Sequence, residues 1–139
     1  MMTSGGGSIA SPIVLLDSQV VNQTATVNSA WLDTRRGESF SIWVLIESVT
    51  GTADINVFAD ISPFTSVIAS TSTDVTLYVP VSLVDAFATE AALRVYHVGN
   101  VADAELDLDY PFCQMRIRVV GDASNPSDTT VSVWVVRYN

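Results

Sequence analysis

The chain has 139 residues, of which 48% are hydrophobic and only 15% charged, with a mean hydropathy of +0.35 and a formal net charge of −9. This length suits one domain with a sizeable core; all six cations are arginines (Arg35, Arg36, Arg94, Arg116, Arg118 and Arg137) and lysine is absent. The composition argues against nucleic-acid binding, which needs a dense basic surface, and against intrinsic disorder, which goes with few apolar residues. It also argues against a membrane-spanning helix, which needs about 20 apolar residues in a row, because the longest clean run is Ile42 to Ile46.

Residues 1–11 are rich in Gly and Ser and lack a basic leader. They read as a flexible N-terminal arm rather than a secretory signal, followed by a single domain over 12–139 made in the cytoplasm. Apolar residues then recur with period two, the signature of strands. Strands are predicted at Ile13 to Leu16, Ala25 to Leu32, Ser39 to Glu47, Ala53 to Ala59, Val75 to Val79, Leu93 to Val98, Ala104 to Tyr110, Cys113 to Val120 and Val131 to Tyr138. One short helix is placed near 83–92, on Val84, Phe87, Ala88 and Ala91. Many short strands separated by turn residues make the expected fold class all-β, an antiparallel β-sandwich of jelly-roll or immunoglobulin-like order.

Alternation assigns faces. Phe40, Ile42, Val44 and Ile46 form a core row, as do Val131, Val133 and Val135, and Cys113, Met115, Ile117 and Val119. The opposite rows hold Trp43 and Leu45, Trp134 and Val136, and Arg116 and Arg118. A solvated face is normally polar, whereas Trp, Tyr and Arg are enriched at interface hot spots. These six residues are therefore expected to contact another subunit. The Arg35-Arg36 pair before Gly37 reads either as an exposed hairpin turn or as an anchor for a partner's carboxylate, since guanidinium forks pair with carboxylates bidentately.

Asp103, Glu105, Asp107 and Asp109 alternate with Ala104, Leu106, Leu108 and Tyr110. On a strand the four carboxylates share one face, where they discourage edge-to-edge pairing. They would also suit a basic partner or a hard cation such as Ca²⁺, although the calcium-loop pattern is missing. The preferred reading is a solvated face with no metal or cofactor. His97 and Cys113 are single residues with no spacing that builds a nucleophile–base pair, and no catalytic motif occurs, so the protein is not expected to be an enzyme.

The segment from Cys113 through Arg116, Arg118, Gly121, Asn125-Pro126 and Asp128-Thr129 to Trp134 resembles the closing hairpin of small β-sandwich virion proteins of tailed bacteriophages. Ser39 to Trp43 and Gly51 to Val57 are similar to early strands of that group. The resemblance implies a capsid decoration, or cement, protein. Such a protein is non-enzymatic, often homotrimeric, bound to the outer surface of the virion head, and bridges subunits of the major capsid protein. Neither nucleic acid nor membrane is expected as a partner. The alternative is a carbohydrate-binding or adhesion module of a tail or fibre, with Trp43 and Trp134 as stacking platforms for sugar rings.

Overall fold

The computed structural model describes residues 12–22, 25–35, 39–49, 55–84, 92–98, 112–121 and 128–138. Its strands are β1 (Ile13–Val21), β2 (Thr26–Asn28), β3 (Leu32–Asp33), β4 (Ser39–Val49), β5 (Ile55–Ser62), β6 (Val79–Val84), β7 (Ala92–Val98), β8 (Gln114–Gly121) and β9 (Thr129–Tyr138). One antiparallel sheet has the order β1-β9-β4-β7, and the other β2-β8-β5-β6 with β3 also paired to β8. The pairing is nested: first strand with last, β2 with β8, β4 with β7, β5 with β6. An immunoglobulin sandwich instead places its first two strands side by side. The fold is a jelly roll.

The predicted core rows meet between the sheets. Ile42, Val44, Ile46, Val131, Val133 and Val135 from the first sheet are fully buried, as are Val57, Ala59, Met115, Ile117 and Val119 from the second. Phe40 closes one end, edge-on to Phe112 with ring centroids 6.1 Å apart. In β1, Asp17 and Ser18 stand opposite the single residue Ser132, a bulge between the Leu16↔Val133 and Gln19↔Val131 pairs. Ser18 takes φ 47° there, and its N–H donates to Ser132 Oγ at 2.8 Å. Its own hydroxyl donates to Glu47 on β4, so side chains replace the ladder bond that the extra residue removes.

Several sequence expectations need correction. The predicted strand from Ala25 to Leu32 is broken into β2 and β3. Ser29 causes the break, since its Oγ accepts the Ile117 N–H at 2.9 Å while its N–H donates to Ile117 O. Val75 to Val79 is not a strand. Asp74 Oδ1 accepts from both the N–H and the hydroxyl of Thr76, at 3.0 and 2.6 Å, and the resulting turn delays β6 to Val79. The helix expected near 83–92 is overturned at its start, because Leu83 and Val84 complete β6; residues 85–91 lie outside the described residues. Cys113 is half-buried beside the core rather than in it.

Candidate functional site

The sandwich has two outer faces, and the chain treats them differently. On the first sheet the register sets Val14, Trp134, Trp43 and Val95 side by side across all four strands. Leu45 stands next to Leu93 and Ser132 in the adjoining row, and Val136 next to Ser41 in the other. Trp43 and Trp134 are thus direct cross-strand neighbours on the face opposite the core, and both are partly exposed. Trp43 Nε1 donates to Ser41 Oγ at 2.8 Å, which satisfies its polar edge and leaves the ring as apolar surface. Pro12, Trp43, Leu93, Trp134 and Val136 line a shallow groove of about 240 Å³. The lining is entirely uncharged. Leu93 and Val14 remain more than half exposed.

Alternation alone places Trp43, Leu45, Trp134 and Val136 opposite the core rows, because it needs no tertiary information. Val14, Pro12 and Leu93 are not singled out by it, since they reach this face only because β1 pairs with β9 and β7 with β4.

The outer face of the second sheet is covered in part, with Pro80 and Ser82 of β6 left exposed. Between Ser62 and Val79 the chain runs sixteen residues without a strand, and connections of this length are uncommon and usually functional. Residues 63–78 lie over β8 and β5, and three side chains beneath them hold the backbone. Gln114 Nε2 donates to the carbonyls of Phe64 and Ser66, Arg116 Nη1 to those of Ser70 and Ser72, each at 2.8 Å, and Trp31 Nε1 to that of Ala69 at 3.1 Å.

Arg116 is the centre of this arrangement. Its Nε and Nη2 donate to Asp60 Oδ2 at 3.0 and 2.7 Å. Trp31 and Tyr78 lie 4.8 and 4.7 Å from its guanidinium carbon, at cation–π distance. Both Arg116 and Asp60 are fully buried. Arg118 reaches the same carboxylate through Nε (3.0 Å to Oδ2) and Nη2 (3.1 Å to Oδ1), and stacks over Phe58 at 4.3 Å. All three guanidinium nitrogens of Arg116 donate to acceptors of its own chain.

This corrects the expectation that Arg116 faces another subunit. It does point away from the core, but its own chain covers it. Alternation predicts the face a side chain takes, not what lies on that face. Arg118 is one-fifth exposed and faces the same network. Nothing in the sequence flagged Asp60, Trp31 or Tyr78 as partners, because they converge from three separate elements.

Arg35 is exposed, and its fork is already engaged. Nε and Nη2 donate to Asp33 Oδ1 and Oδ2 at 3.0 and 2.6 Å, and its N–H also donates to Oδ1. The Arg35 hydrogen bonds hold the Asp33 carboxyl well below the usual carboxylate range. Arg137 adds a hydrogen bond to the Asp33 carbonyl. Arg35 thus pairs with a carboxylate of its own chain, and Arg36 lies outside the described residues. So do Asp103, Glu105, Asp107 and Asp109 and the whole predicted strand Ala104 to Tyr110. His97 stands opposite Ser41 in the β4–β7 register.

The covering segment ends outward. Ile68 and Tyr78 are buried, whereas Phe64 is 45% exposed and Val67, at the tip, is 99% exposed. No charged residue occurs from Ile61 through Thr73.

No family model and no curated protein sequence matches this chain. Among solved structures, a chain from the structure of infectious bursal disease virus, Gx strain, superposes on 99% of this chain with a TM-score of 0.56 and 9% sequence identity. This chain spans 34% of that one, about a third of its length. At such low identity the likeness is one of fold.

Proposed function

We propose that the protein is a non-enzymatic virion structural protein, and more narrowly a capsid decoration protein that binds the outside of a phage head and bridges major capsid subunits. The observation that carries this reading is the apolar face of the first sheet, centred on the paired Trp43 and Trp134, where Val14 and Leu93 stay more than half exposed, on a jelly roll whose fold is similar to that of a chain in a virus structure. The narrower step to a tailed-phage head is supported by the closing-hairpin resemblance. A decoration protein must remain soluble before docking and then contribute several weak contacts at once, since multivalency turns modest affinities into slow dissociation. The net charge of −9 suits the first need, because like-charged copies repel in free solution. The uncharged face suits the second. Both the self-association, with a homotrimer as the expected state, and the contact with the major capsid protein belong to this proposal.

The groove speaks against sugar recognition. Sugar sites combine a stacking ring with polar groups that fix the hydroxyls, whereas this lining offers only Pro, Leu, Val and the two indoles, with the Trp43 N–H already engaged. Cosedimentation of the purified chain with expanded, undecorated heads tests the proposal. The chain is expected to pellet with the particles and to raise the temperature at which they open. Binding to glycans with no retention on heads would overturn it in favour of the adhesion module.

A further inference from the structure

We infer that the groove on the first sheet of one copy receives the Phe64–Val67 tip of a second copy, so that the protein self-associates head to tail. The inference rests on the proposed function only in taking the apolar face as a protein-contact surface.

Three observations point to this occupant. The first is rigidity. A valine that is 99% exposed, next to a phenylalanine that is 45% exposed, is carried on an irregular segment whose carbonyls at 64, 66, 69, 70 and 72 are all held by side chains from below. Held in this way, the tip loses little conformational freedom on docking, which is how preorganisation strengthens a contact. The second is charge. Two chains of net charge −9 can approach closely only where neither presents carboxylates. The groove lining is uncharged, and so is every residue from Ile61 through Thr73; Asp33, which borders the same hollow as Phe64 and Val67, has its carboxylate paired with Arg35. The third is size. At about 240 Å³ the groove is below the roughly 300–1,000 Å³ of pockets that enclose drug-sized ligands, a scale suited to one or two inserted side chains.

The arrangement has a geometric consequence. The groove lies on the outer face of the first sheet and the tip on that of the second, so a single contact leaves each copy with one unused surface. Contacts of this kind propagate into rings or arrays rather than stopping at a two-fold dimer.

The test uses the full chain, with Val67→Asp removing the tip and Leu93→Asp removing the groove; both positions are exposed in the folded chain, and retained β-sheet circular dichroism checks folding. By light scattering across a concentration series, the wild type is expected to exceed the 14.9 kDa of one chain, and each variant alone to remain at that mass. Mixed together, the variants are expected to form a 1:1 pair and nothing larger, because Val67→Asp keeps an intact groove and Leu93→Asp an intact tip. A wild type that stays monomeric would overturn the inference. So would loss of association in Leu93→Asp alone, which would mean sheet faces pairing with each other, or a mixture that fails to pair. Failure to pellet with heads, alongside successful pairing, would overturn the decoration role and leave this inference standing.

Discussion

Asp60 serves two guanidiniums and is fully buried while doing so. Removing one partner of a buried ion pair typically costs about 3–5 kcal/mol, because the other charge is stranded. Asp60→Ala strands Arg116 and, in part, Arg118, and it loosens the donor that holds Ser70 and Ser72. Its thermal midpoint is expected to fall by roughly ten degrees or more in a domain of this size. Arg118→Ala should cost much less, since Arg116 still neutralises the carboxylate and Arg118 is one-fifth exposed; calorimetry of both variants checks the order. Asp33 gives a prediction of the opposite kind. Its folded carboxyl titrates below the ordinary value of 3.8 because of Arg35. The sign follows: the folded state binds that proton less tightly than the unfolded chain, so the contribution is present above the ordinary value and is lost as pH falls through the depressed one. Carbon-detected NMR titration should find the Asp33 midpoint below 3.8, and Arg35→Gln should return it towards that value. Asp33 is exposed, so the effect on overall stability is expected to be slight.

At the scale of elements, β4 carries the sharpest test. Ile42 is fully buried, whereas Trp43, one residue on, is partly exposed on the outer face. Ile42→Asp places an unpaired charge in the core, a cost comparable with the whole stability of a typical domain, and is expected to yield no folded protein. Trp43→Asp should fold with a modest loss, about 1 kcal/mol from its cross-strand neighbours, and associate at least tenfold more weakly. Circular dichroism and light scattering read the two outcomes, and their reversal would mean that the register is off by one. Period-two alternation made β4, β8 and β9 legible, including which residues turn away from the core. Side chains that compete with the backbone hid the rest. Val75 to Val79 alternates like a strand, yet Asp74 captures Thr76 and makes a turn. Ala25 to Leu32 alternates too, yet Ser29 enters the ladder in place of backbone. The clamp at Arg116 was illegible for another reason: its partners are brought together by three elements far apart in the chain, and local pattern carries no record of that.

For the whole molecule, the apolar excess and the acidity noted in the composition are two sides of one balance. Repulsion between copies of net charge −9 is long-ranged, while the groove–tip contact is short-ranged and uncharged. Raising salt from about 0.01 M to about 1 M shortens the screening length from ~30 Å to ~3 Å. Self-association is therefore expected to shift to lower protein concentration as salt rises, and sedimentation at both conditions measures it; a contact built on ion pairs would shift the other way. The nested pairing also predicts slow folding. Its outermost pair joins the two ends of the chain, and such distant contacts form late.

That same outermost pair determines how the molecule responds to tension. Because Ile13 lies opposite Val135 and Val21 opposite Thr129, the chain enters β1 and leaves β9 at one corner. Pulling the two ends apart opens the β1–β9 ladder like a zipper, one hydrogen-bonded pair at a time, instead of shearing all its bonds together. Single-molecule pulling through the ends should therefore give a low unfolding force. Load that enters through the two sheet faces does not act on that ladder.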